Sequence, residues 1–322
     1  MADKYAIATL QIPLICPFTF HSDAEKKAFK QLILNLKHPY IAPVLDVDFE
    51  LISPNSMDLI IVRKYYPRGS LRDEIHGVVD PQATYVTKYP KTAKGKPLSP
   101  EKIRNYGRQI LESMLVLRKK GITCYNLSTS NVMIGYDEVS KRSVAQVSDI
   151  ENSLLCRSPP SSLENLTLVH EANVDVDVLH FGHMLFEMAL GHRLTRSTPC
   201  LSILQCHYNG VNKEISEVLA LIFSPVSVDA TARSTSIEDV INLPLFRDIP
   251  VKEISATGST IKLNSAAKKV VKVCMASIAN CRNHRLRQFQ ECMMMQASTS
   301  DVVNPNVPPL LVQVSSSSMS TV

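Results

Sequence analysis

Residues 124–131 read Cys-Tyr-Asn-Leu-Ser-Thr-Ser-Asn, and the sequence before them places this stretch in a loop directly after a helix. Ser99, Pro100 and Glu101 supply an N-cap, a proline at the first helical position and an acid in the first turn. Apolar residues then recur at three- and four-residue spacing, and Gly121 provides a stop. These signals predict one helix between Ser99 and Gly121 that leads straight into the 124–131 loop.

The loop resembles the catalytic loop His-Arg-Asp-Leu-x-x-x-Asn of protein kinases. The last Asn of that motif is kept as Asn131, but the Asp that accepts the proton of the substrate hydroxyl is replaced by Asn126. Because an amide has no useful basicity at neutral pH, Asn126 can orient a hydroxyl but cannot take its proton. We therefore treat Asn126 as a degenerate base position and assign no catalytic residue.

Other kinase-like segments surround this loop in the kinase order. The matching segments resemble the fifth strand and hinge (residues 59–71), the metal-binding Asp-Phe-Gly turn (149–151), the central helix of the large lobe (177–191) and its closing helices (233–246). In the metal-binding turn, Asp149 is kept, whereas Ile150 and Glu151 replace Phe and Gly. The resemblance predicts an α+β, two-lobed protein-kinase-like fold with a shortened N-terminal lobe and a mostly α-helical C-terminal lobe.

Three stretches narrow this resemblance to one family. Residues 148–155 (SDIENSLL), 176–183 (VDVLHFGH) and 244–248 (PLFRD) resemble the PX-domain kinase-like and slowpoke-binding protein family, and the likeness extends over about residues 5–290. It implies a catalytically impaired scaffold or regulatory binding protein that modulates a membrane ion channel, such as a slowpoke-type calcium-activated potassium channel. No PX domain is recognisable, so we expect a cytoplasmic protein that reaches the inner face of the plasma membrane through a partner.

We divide the chain into four parts. Residues 1–66 form a truncated kinase-like N-lobe without a glycine-rich loop, 67–260 the C-lobe, 261–296 a basic C-terminal helix and 297–322 a disordered tail. Within the N-lobe, residues 5–10 resemble the strand that carries the phosphate-binding Lys of kinases, and that position falls on Ala8. The usual ion-pair Glu falls on Phe29, with Glu25 one turn earlier.

Asn131 and Asp149 are the candidates for metal and nucleotide binding, because oxygen ligands suit magnesium. Without the Lys and the covering loop, we expect only weak Mg-ATP binding and no required cofactor. The alternative for both side chains is that they satisfy backbone donors at a strand end. A weakly active ATP-dependent serine/threonine kinase is the alternative function, and a truncated isoform whose missing part supplies the glycine-rich loop is a third hypothesis.

Four further residues are assigned structural roles by the kinase resemblance. Cys124 and Ile150 replace the His and Phe of an apolar column that joins the two lobes, and both residue types are commonly buried. Asp177 is expected to tie down the loop backbone, since a buried polar group needs a partner. Arg233 has lost its usual acidic partner, and Glu164 and Glu171 are candidates to replace it.

Composition is ordinary for a globular chain, with 45% hydrophobic and 20% charged residues. No apolar run approaches the about 18 residues of a membrane span, and the N-terminus does not predict a secretory signal. The eight cysteines show no Cys-x-x-Cys pair and no dense framework, which predicts reduced thiols in the cytosol.

The net charge of +5 is concentrated in two segments. Residues 88–102 predict an exposed basic insert, and residues 262–287 predict a basic helix that either caps the large lobe or binds an acidic membrane surface or partner. We expect no nucleic-acid binding, because no recognisable binding fold or aromatic set accompanies the charge. Ser197, between Arg193 and Pro199, is a candidate phosphorylation site for 14-3-3 binding; the alternative is a plain surface loop.

Overall fold

A three-stranded antiparallel sheet and one helix form the first part of the fold. In the computed structural model, the described residues are 4–14, 16–54, 56–80, 83–90, 94–125, 127–157, 175–194, 211–223, 235–252 and 261–300. The strands β1 (Tyr5–Gln11), β2 (Val44–Ser53) and β3 (Ser56–Lys64) lie in the order β1-β3-β2. Helix α1 (Asp23–Leu34) begins at Ser22, whose hydroxyl accepts a hydrogen bond from the Ala24 N–H, and it packs against β2.

The link to the second part follows β3 and contains two short helices. Helix α2 (Leu71–His76) begins with a capping box, in which Ser70 and Asp73 bond each other's backbone N–H groups. Helix α3 (Tyr85–Lys88) follows and ends where the predicted basic insert, residues 88–102, begins. The chain then runs back along the second part, where Gly95 N–H donates to Gly191 C=O and Lys96 N–H to Ile75 C=O, both at 2.8 Å.

The second part is mostly helical and is built around the long helix predicted from the sequence. Helix α4 (Pro100–Lys119) begins at the N-cap Ser99 with proline at its first position, so this prediction is confirmed. A 3₁₀ turn (Thr129–Asn131) leads into a two-stranded antiparallel sheet, β4 (Val132–Asp137) with β5 (Arg142–Val147). The helices that follow are α5 (Ile150–Leu154), α6 (Val176–Leu190), α7 (Lys213–Phe223) and α8 (Ile237–Ile241).

Two glycines allow the helices of this core to approach closely. A Cβ at Gly107 in α4 would lie 2.6 Å from the Phe246 ring, and one at Gly182 in α6 would lie 2.7 Å from Ile222 in α7. Phe181 and Phe246 pack edge to face beside Gly107.

The predicted α+β architecture is confirmed, because one lobe contains the small three-stranded sheet and the other lobe is mostly helical.

The chain ends its described part in a long helix, α9 (Ser265–Ser300), where the sequence placed a basic helix at 261–296. One face of its first turns is buried and contacts α1 and α5, so it touches both lobes. The opposite face exposes basic side chains. Its buried residues are Ala267, Val270, Val271, Cys274 and Ile278, and its exposed lysines are Lys268, Lys269 and Lys272. Residues 301–322 of the predicted tail lie outside the described part.

Among the helices of the described residues, none has both the length and the apolar character required to cross a membrane.

Candidate functional site

The site lies where the small sheet meets the turn that follows β5. Two backbone hydrogen bonds align the segments, because Ala42 N–H donates to Val147 C=O at 2.8 Å and Val147 N–H to Tyr40 C=O at 2.9 Å. At the end of β3, Arg63 extends from the sheet toward the turn that starts at Ser148. The sequence predicted the strand and the turn as separate elements, and the structure brings their ends together.

Arg63 is the basic centre of this site. Its Nη2 atom lies 3.2 Å from Oδ1 of Asp149, and the same guanidinium forms an ion pair with the carboxylate of Glu151. The Arg63 side chain is 19% exposed and that of Glu151 only 3%. Burial lowers the pKa of Arg63, and the neighbouring charge of Asp149 opposes this shift. The Arg63 guanidinium therefore lies between two carboxylates at a position largely buried from solvent.

Asp149 is engaged through both of its carboxylate oxygens. Oδ1 faces Arg63, and Oδ2 accepts a hydrogen bond from the Asn152 side-chain amide at 2.5 Å. The residue has φ +68°, a left-handed conformation that Asp tolerates better than most residues. This backbone geometry lets α5 begin immediately after Asp149.

Asn131 lies next to Asp149 through the backbone. Its C=O accepts hydrogen bonds from the Ser148 N–H at 2.8 Å and from the Ser148 hydroxyl at 3.0 Å. The structure thus brings the two sequence-predicted metal candidates to neighbouring positions. Within the described residues, however, no group of three or more His, Cys, Asp or Glu side chains is arranged to hold a metal ion.

Little space is left behind the turn. A cavity of about 10 Å³ separates it from α1, β2 and β3, which is about the room needed for one water molecule. Its lining residues are Ile33, Leu36, Ile41, Ala42, Val44, Arg63, Ser148, Asp149, Ile150 and Glu151. Arg63 and the buried Ile150 therefore fill the region between the small sheet and the turn.

Helix α1 is held to the sheet by aromatic packing. Phe29, at the position predicted for the ion-pair Glu, is fully buried and packs edge to face on Phe20, with ring centroids 5.1 Å apart. Phe49 of β2 contacts Phe20 at 4.9 Å. Glu25 accepts a hydrogen bond from the Phe20 N–H at 3.2 Å. Ala8, at the position predicted for the phosphate-binding Lys, is aligned with Ile61 in the sheet and carries no charge. Since neither Ala8 nor Phe29 can form the ion pair expected at these two positions, apolar contacts hold α1 in place.

The 124–131 loop is tied to helix α6 by Asp177. The Cys124 N–H donates to Oδ2 of Asp177 at 3.1 Å, and both side chains are buried. Burial raises the pKa of Asp177 to about 6, against the opposing effects of the Cys124 hydrogen bond and the Arg118 charge. Burial also raises the pKa of Cys124 well above its ordinary value, with Asp177 adding to the effect. A thiol kept protonated in this way is no nucleophile.

A second polar cluster supports the same loop from the other side. Glu187 of α6 accepts a hydrogen bond from the Thr129 hydroxyl at 2.7 Å, and its other oxygen lies 3.6 Å from Nε of Arg72. The Arg72 guanidinium stacks on the rings of Tyr85 and Tyr89, at 5.3 and 4.2 Å from their centroids. This cluster joins the loop to α2, α3 and α6.

Five residues named in the sequence analysis lie outside the described part of the chain: Asn126, Glu164, Glu171, Ser197 and Arg233. Sequence reasoning missed the roles of Arg63, Glu151 and Glu187. One signal for Arg63 was available, because a charged residue directly follows the apolar run at 59–62 and two acids stand in the turn at 149–151. Their pairing is a contact between residues far apart in the chain, which spacing alone does not reveal.

Comparison with known proteins gives relatives along most of the chain, although no protein-family model matches it. The Slowpoke-binding protein of Drosophila melanogaster is 29% identical over 89% of this chain and 53% of its own length. The probable inactive serine/threonine-protein kinase slob2 of Dictyostelium discoideum is 29% identical over 84% of this chain and 45% of its own length. The PX domain-containing protein kinase-like protein of Mus musculus is 29% identical over 72% of this chain and 37% of its own length.

The chain therefore spans about half the length of the first two relatives. Among solved structures, the crystal structure of Rad53 1-466 in complex with AMP-PNP superimposes with a TM-score of 0.46 at 16% identity, covering 75% of this chain and 57% of that one. The described architecture and the relatives' names agree on a protein-kinase-like α+β fold. The predicted resemblance is confirmed, because proteins named as slowpoke-binding, inactive kinase and PX domain-containing kinase-like proteins are homologues of this chain at about 29% identity over most of its length.

Proposed function

We propose that this chain is a catalytically impaired kinase-like scaffold that works by binding other proteins. The observation that carries the proposal is the Arg63 guanidinium, which pairs with Asp149 and Glu151 in the place where a kinase presents its metal-binding Asp. A divalent ion at Asp149 would have to approach a buried positive charge. The same carboxylate would also have to give up its bonds to Arg63 and Asn152.

This exchange has an energetic cost at the interlobe ion pairs. If Asp149 left this pair, the largely buried Arg63 guanidinium would face the carboxylate of Glu151 alone, and weakening such a pair has an energetic cost. The sequence also lacks the catalytic base. A positioned general base typically increases the reaction rate by about 10²–10⁴-fold, and the Asn126 amide cannot act as one. Both effects support a scaffold in preference to the alternative of a weak serine/threonine kinase, and we propose no required cofactor.

The proposed partner is a membrane ion channel of the slowpoke type; the proposal is supported by the Drosophila relative, which is named a Slowpoke-binding protein. We place the chain in the cytoplasm and, through the channel, at the inner face of the plasma membrane. The exposed lysines of α9, Lys268, Lys269 and Lys272, offer a positive face for an acidic partner or lipid surface. A phosphate at Ser197 would provide the proposed contact to 14-3-3.

The test is capture of the cytoplasmic region of a slowpoke-type calcium-activated potassium channel by the purified chain, with and without Mg-ATP. We expect capture in both conditions, and a shift in the voltage dependence of the channel current when the two are expressed together. Absence of capture would overturn the proposed partner. Capture that requires Mg-ATP, or phosphate transfer to the channel, would favour the kinase alternative.

The contribution of α9 is tested by reversing its exposed charge with the variant K268E/K269E/K272E. We expect weaker association with channel-containing membranes, with a salt dependence that follows the lost charge. A matched control reverses three exposed lysines elsewhere, as K37E/K119E/K120E. Equal loss in both variants would show a general charge effect and contradict a role for the α9 face.

A further inference from the structure

The three-stranded sheet has two edges, and they differ in how their outward backbone groups are used. In the order β1-β3-β2, β1 forms one edge and β2 the other. An edge strand directs half of its backbone N–H and C=O groups away from the sheet, where another strand can bond them. The side chains and the regularity of each strand therefore decide whether its edge can accept a further strand.

The β2 edge is closed by its own side chains. The Asp46 carboxylate accepts a hydrogen bond from the Val47 N–H at 2.8 Å. In the same way, the Asp48 carboxylate accepts one from the Phe49 N–H at 2.9 Å. The strand also contains two shifts in its register with β3. Acidic side chains and bulges on an edge strand prevent pairing with another chain, so this edge is protected.

The β1 edge is open. β1 pairs with β3 along all seven of its residues without a register shift. At one end the Tyr65 N–H donates to the Lys4 C=O at 3.1 Å, and at the other end the Ile12 N–H donates to the Met57 C=O at 3.2 Å. Since bonding alternates along an antiparallel strand, the even-numbered residues of β1 bond β3 and the odd-numbered residues point outward. The outward residues are Tyr5, Ile7, Thr9 and Gln11.

The composition of β1 also favours pairing. Within the described residues, no strand lies against its outer edge. The strand contains no charged residue and no proline, which are the devices that usually keep other chains away from an edge. Ile7 and Thr9 are β-branched, and both are exposed, with 71% of Ile7 accessible to solvent. This edge is therefore suited to bind another β-strand.

We propose that β1 pairs in antiparallel orientation with β1 of a second copy of this chain, which joins the two small sheets into one sheet of six strands. The proposed interface is independent of the channel partner and of nucleotide binding. It is isologous, because the same strand contributes from both copies.

The charges on β3 favour a second copy in this orientation. Lys64 is aligned with Tyr5 at one end of β1, and Asp58 is aligned with Gln11 at the other end. Antiparallel pairing places Lys64 of each copy in the same row as Asp58 of the other, whereas parallel pairing would place lysine in a row with lysine. The opposite charges would be about 14 Å apart, at three strand spacings, so salt screens them and they select the orientation more than they add affinity.

The alternation of outward groups restricts the register. An outward odd-numbered residue must face an odd-numbered residue of the other copy. The register that uses the whole strand is centred on Ala8, so that Ile7 faces Thr9 of the second copy, and the four residue pairs exchange about eight hydrogen bonds. Ala8 then faces Ala8 of the second copy at a non-hydrogen-bonded position, where the Cα atoms are about 4.5 Å apart.

The first test is the oligomeric state of the purified full chain, measured by sedimentation velocity from about 1 to 100 µM. We expect a concentration-dependent dimer. The variant T9P removes an outward N–H from each copy and leaves the bonds between β1 and β3 in place. It should weaken dimerisation at least about tenfold, because two intermolecular hydrogen bonds are lost, while the circular dichroism spectrum stays unchanged.

A pair of charge variants compares the two edges. I7K places a cation on the open β1 edge and should also weaken the dimer. The matched control is L51K, at a β2 residue that is 60% exposed, and it should dimerise like wild type.

The register is tested by disulfide cross-linking under mild oxidation. A8C should give a covalent dimer, since its Cα separation lies within the range of a disulfide. In A6C the two introduced cysteines would be about 14 Å apart, because Ala6 faces Leu10 of the second copy, and no cross-link should form between them. Mass spectrometry of the cross-linked peptide distinguishes these bonds from any formed by the native cysteines.

A chain that stays monomeric throughout the concentration range would overturn the proposal. A dimer that is unaffected by both T9P and I7K would also overturn it and show that the copies meet through another surface. Cross-linking of A6C at the efficiency of A8C would overturn the assigned register.

Discussion

Arg63 at the end of β3 and Asp149 in the turn after β5 are joined by a 3.2 Å ion pair that bridges the small sheet and the large lobe. Glu151 binds the same guanidinium and is almost completely buried. This relationship explains how two acids are kept in a dry interlobe position, because each carboxylate faces a positive charge. It also ties the residue that matches the kinase metal-binding Asp into the structure of the protein.

The variant R63M removes the guanidinium that pairs with the carboxylates of Asp149 and Glu151. We expect the free energy of unfolding to fall by about 3–5 kcal/mol, as is typical when one partner of a buried ion pair is removed. Urea denaturation measures the change. Adding E151Q to R63M should restore part of the lost stability, because fewer uncompensated charges remain.

The matched control for this prediction is R68M. Arg68 pairs with Glu74 at 3.1 Å, but its side chain is 43% exposed. Its removal should cost less than about 1 kcal/mol, as for other surface pairs. Equal effects of R63M and R68M would contradict the importance given to the buried pair.

Asp177 is predicted to make stability depend on pH in acid. Its pKa is raised from 3.8 in the unfolded chain to about 6 in the folded protein, so the folded state binds more protons between these values. Stability from this group is therefore present below pH 3.8 and is lost as the pH rises toward about 6. The variant D177N has no such titration.

The measurement is denaturation of wild type and D177N at several pH values. We expect the stability of wild type relative to D177N to decrease across this window and to level off above it. A constant difference between the two proteins would contradict a raised pKa for Asp177.

The packing of α1 predicts a large effect for F29A. Phe29 is fully buried between Phe20 and Phe49, so its removal leaves a cavity. We expect a loss of about 3–5 kcal/mol in the free energy of unfolding. The control Y5A, at a β1 residue that is 58% exposed, should change it by less than about 0.5 kcal/mol. A small effect of F29A would show that α1 is held by other contacts.

Alanine substitutions at two glycines at helix ends distinguish the cost of backbone strain from the cost of a steric clash. Gly77 and Gly191 both have positive φ, at +62° and +73°. A Cβ at Gly77 would meet nothing within 4 Å, whereas one at Gly191 would lie 2.4 Å from the Gly95 carbonyl oxygen. Thermal unfolding should show G191A to be clearly more destabilised than G77A, which should lose about 1 kcal/mol. Equal losses would mean that the 94–98 segment moves away without cost.

The sequence predicted the parts of this structure that depend on local signals. The N-cap Ser99 and Pro100 predicted the start of α4 correctly, and the ordered kinase-like segments predicted the α+β fold. The Arg63 pairing was not predicted. It depends on a contact between residues that are far apart in the chain, Arg63 and Asp149.

The sequence predicted which residues belong to the candidate site, but it did not predict how their side chains contact one another. Asn131 and Asp149 were named from the kinase motifs, and the structure places them side by side through Ser148. The metal and nucleotide roles proposed for them stay predictions. Motif spacing identified which residue types are present, but it carried no information about the cation that faces Asp149.

Thermal unfolding of the purified chain with and without magnesium and excess ATP tests whether Asp149 still belongs to a metal-nucleotide site, because a ligand that binds only the folded state raises its melting temperature. We expect no magnesium-dependent shift, since Asp149 is held by Arg63 and Asn152. A clear magnesium-dependent rise in wild type that is absent in D149A would contradict this expectation and show a working metal-nucleotide site.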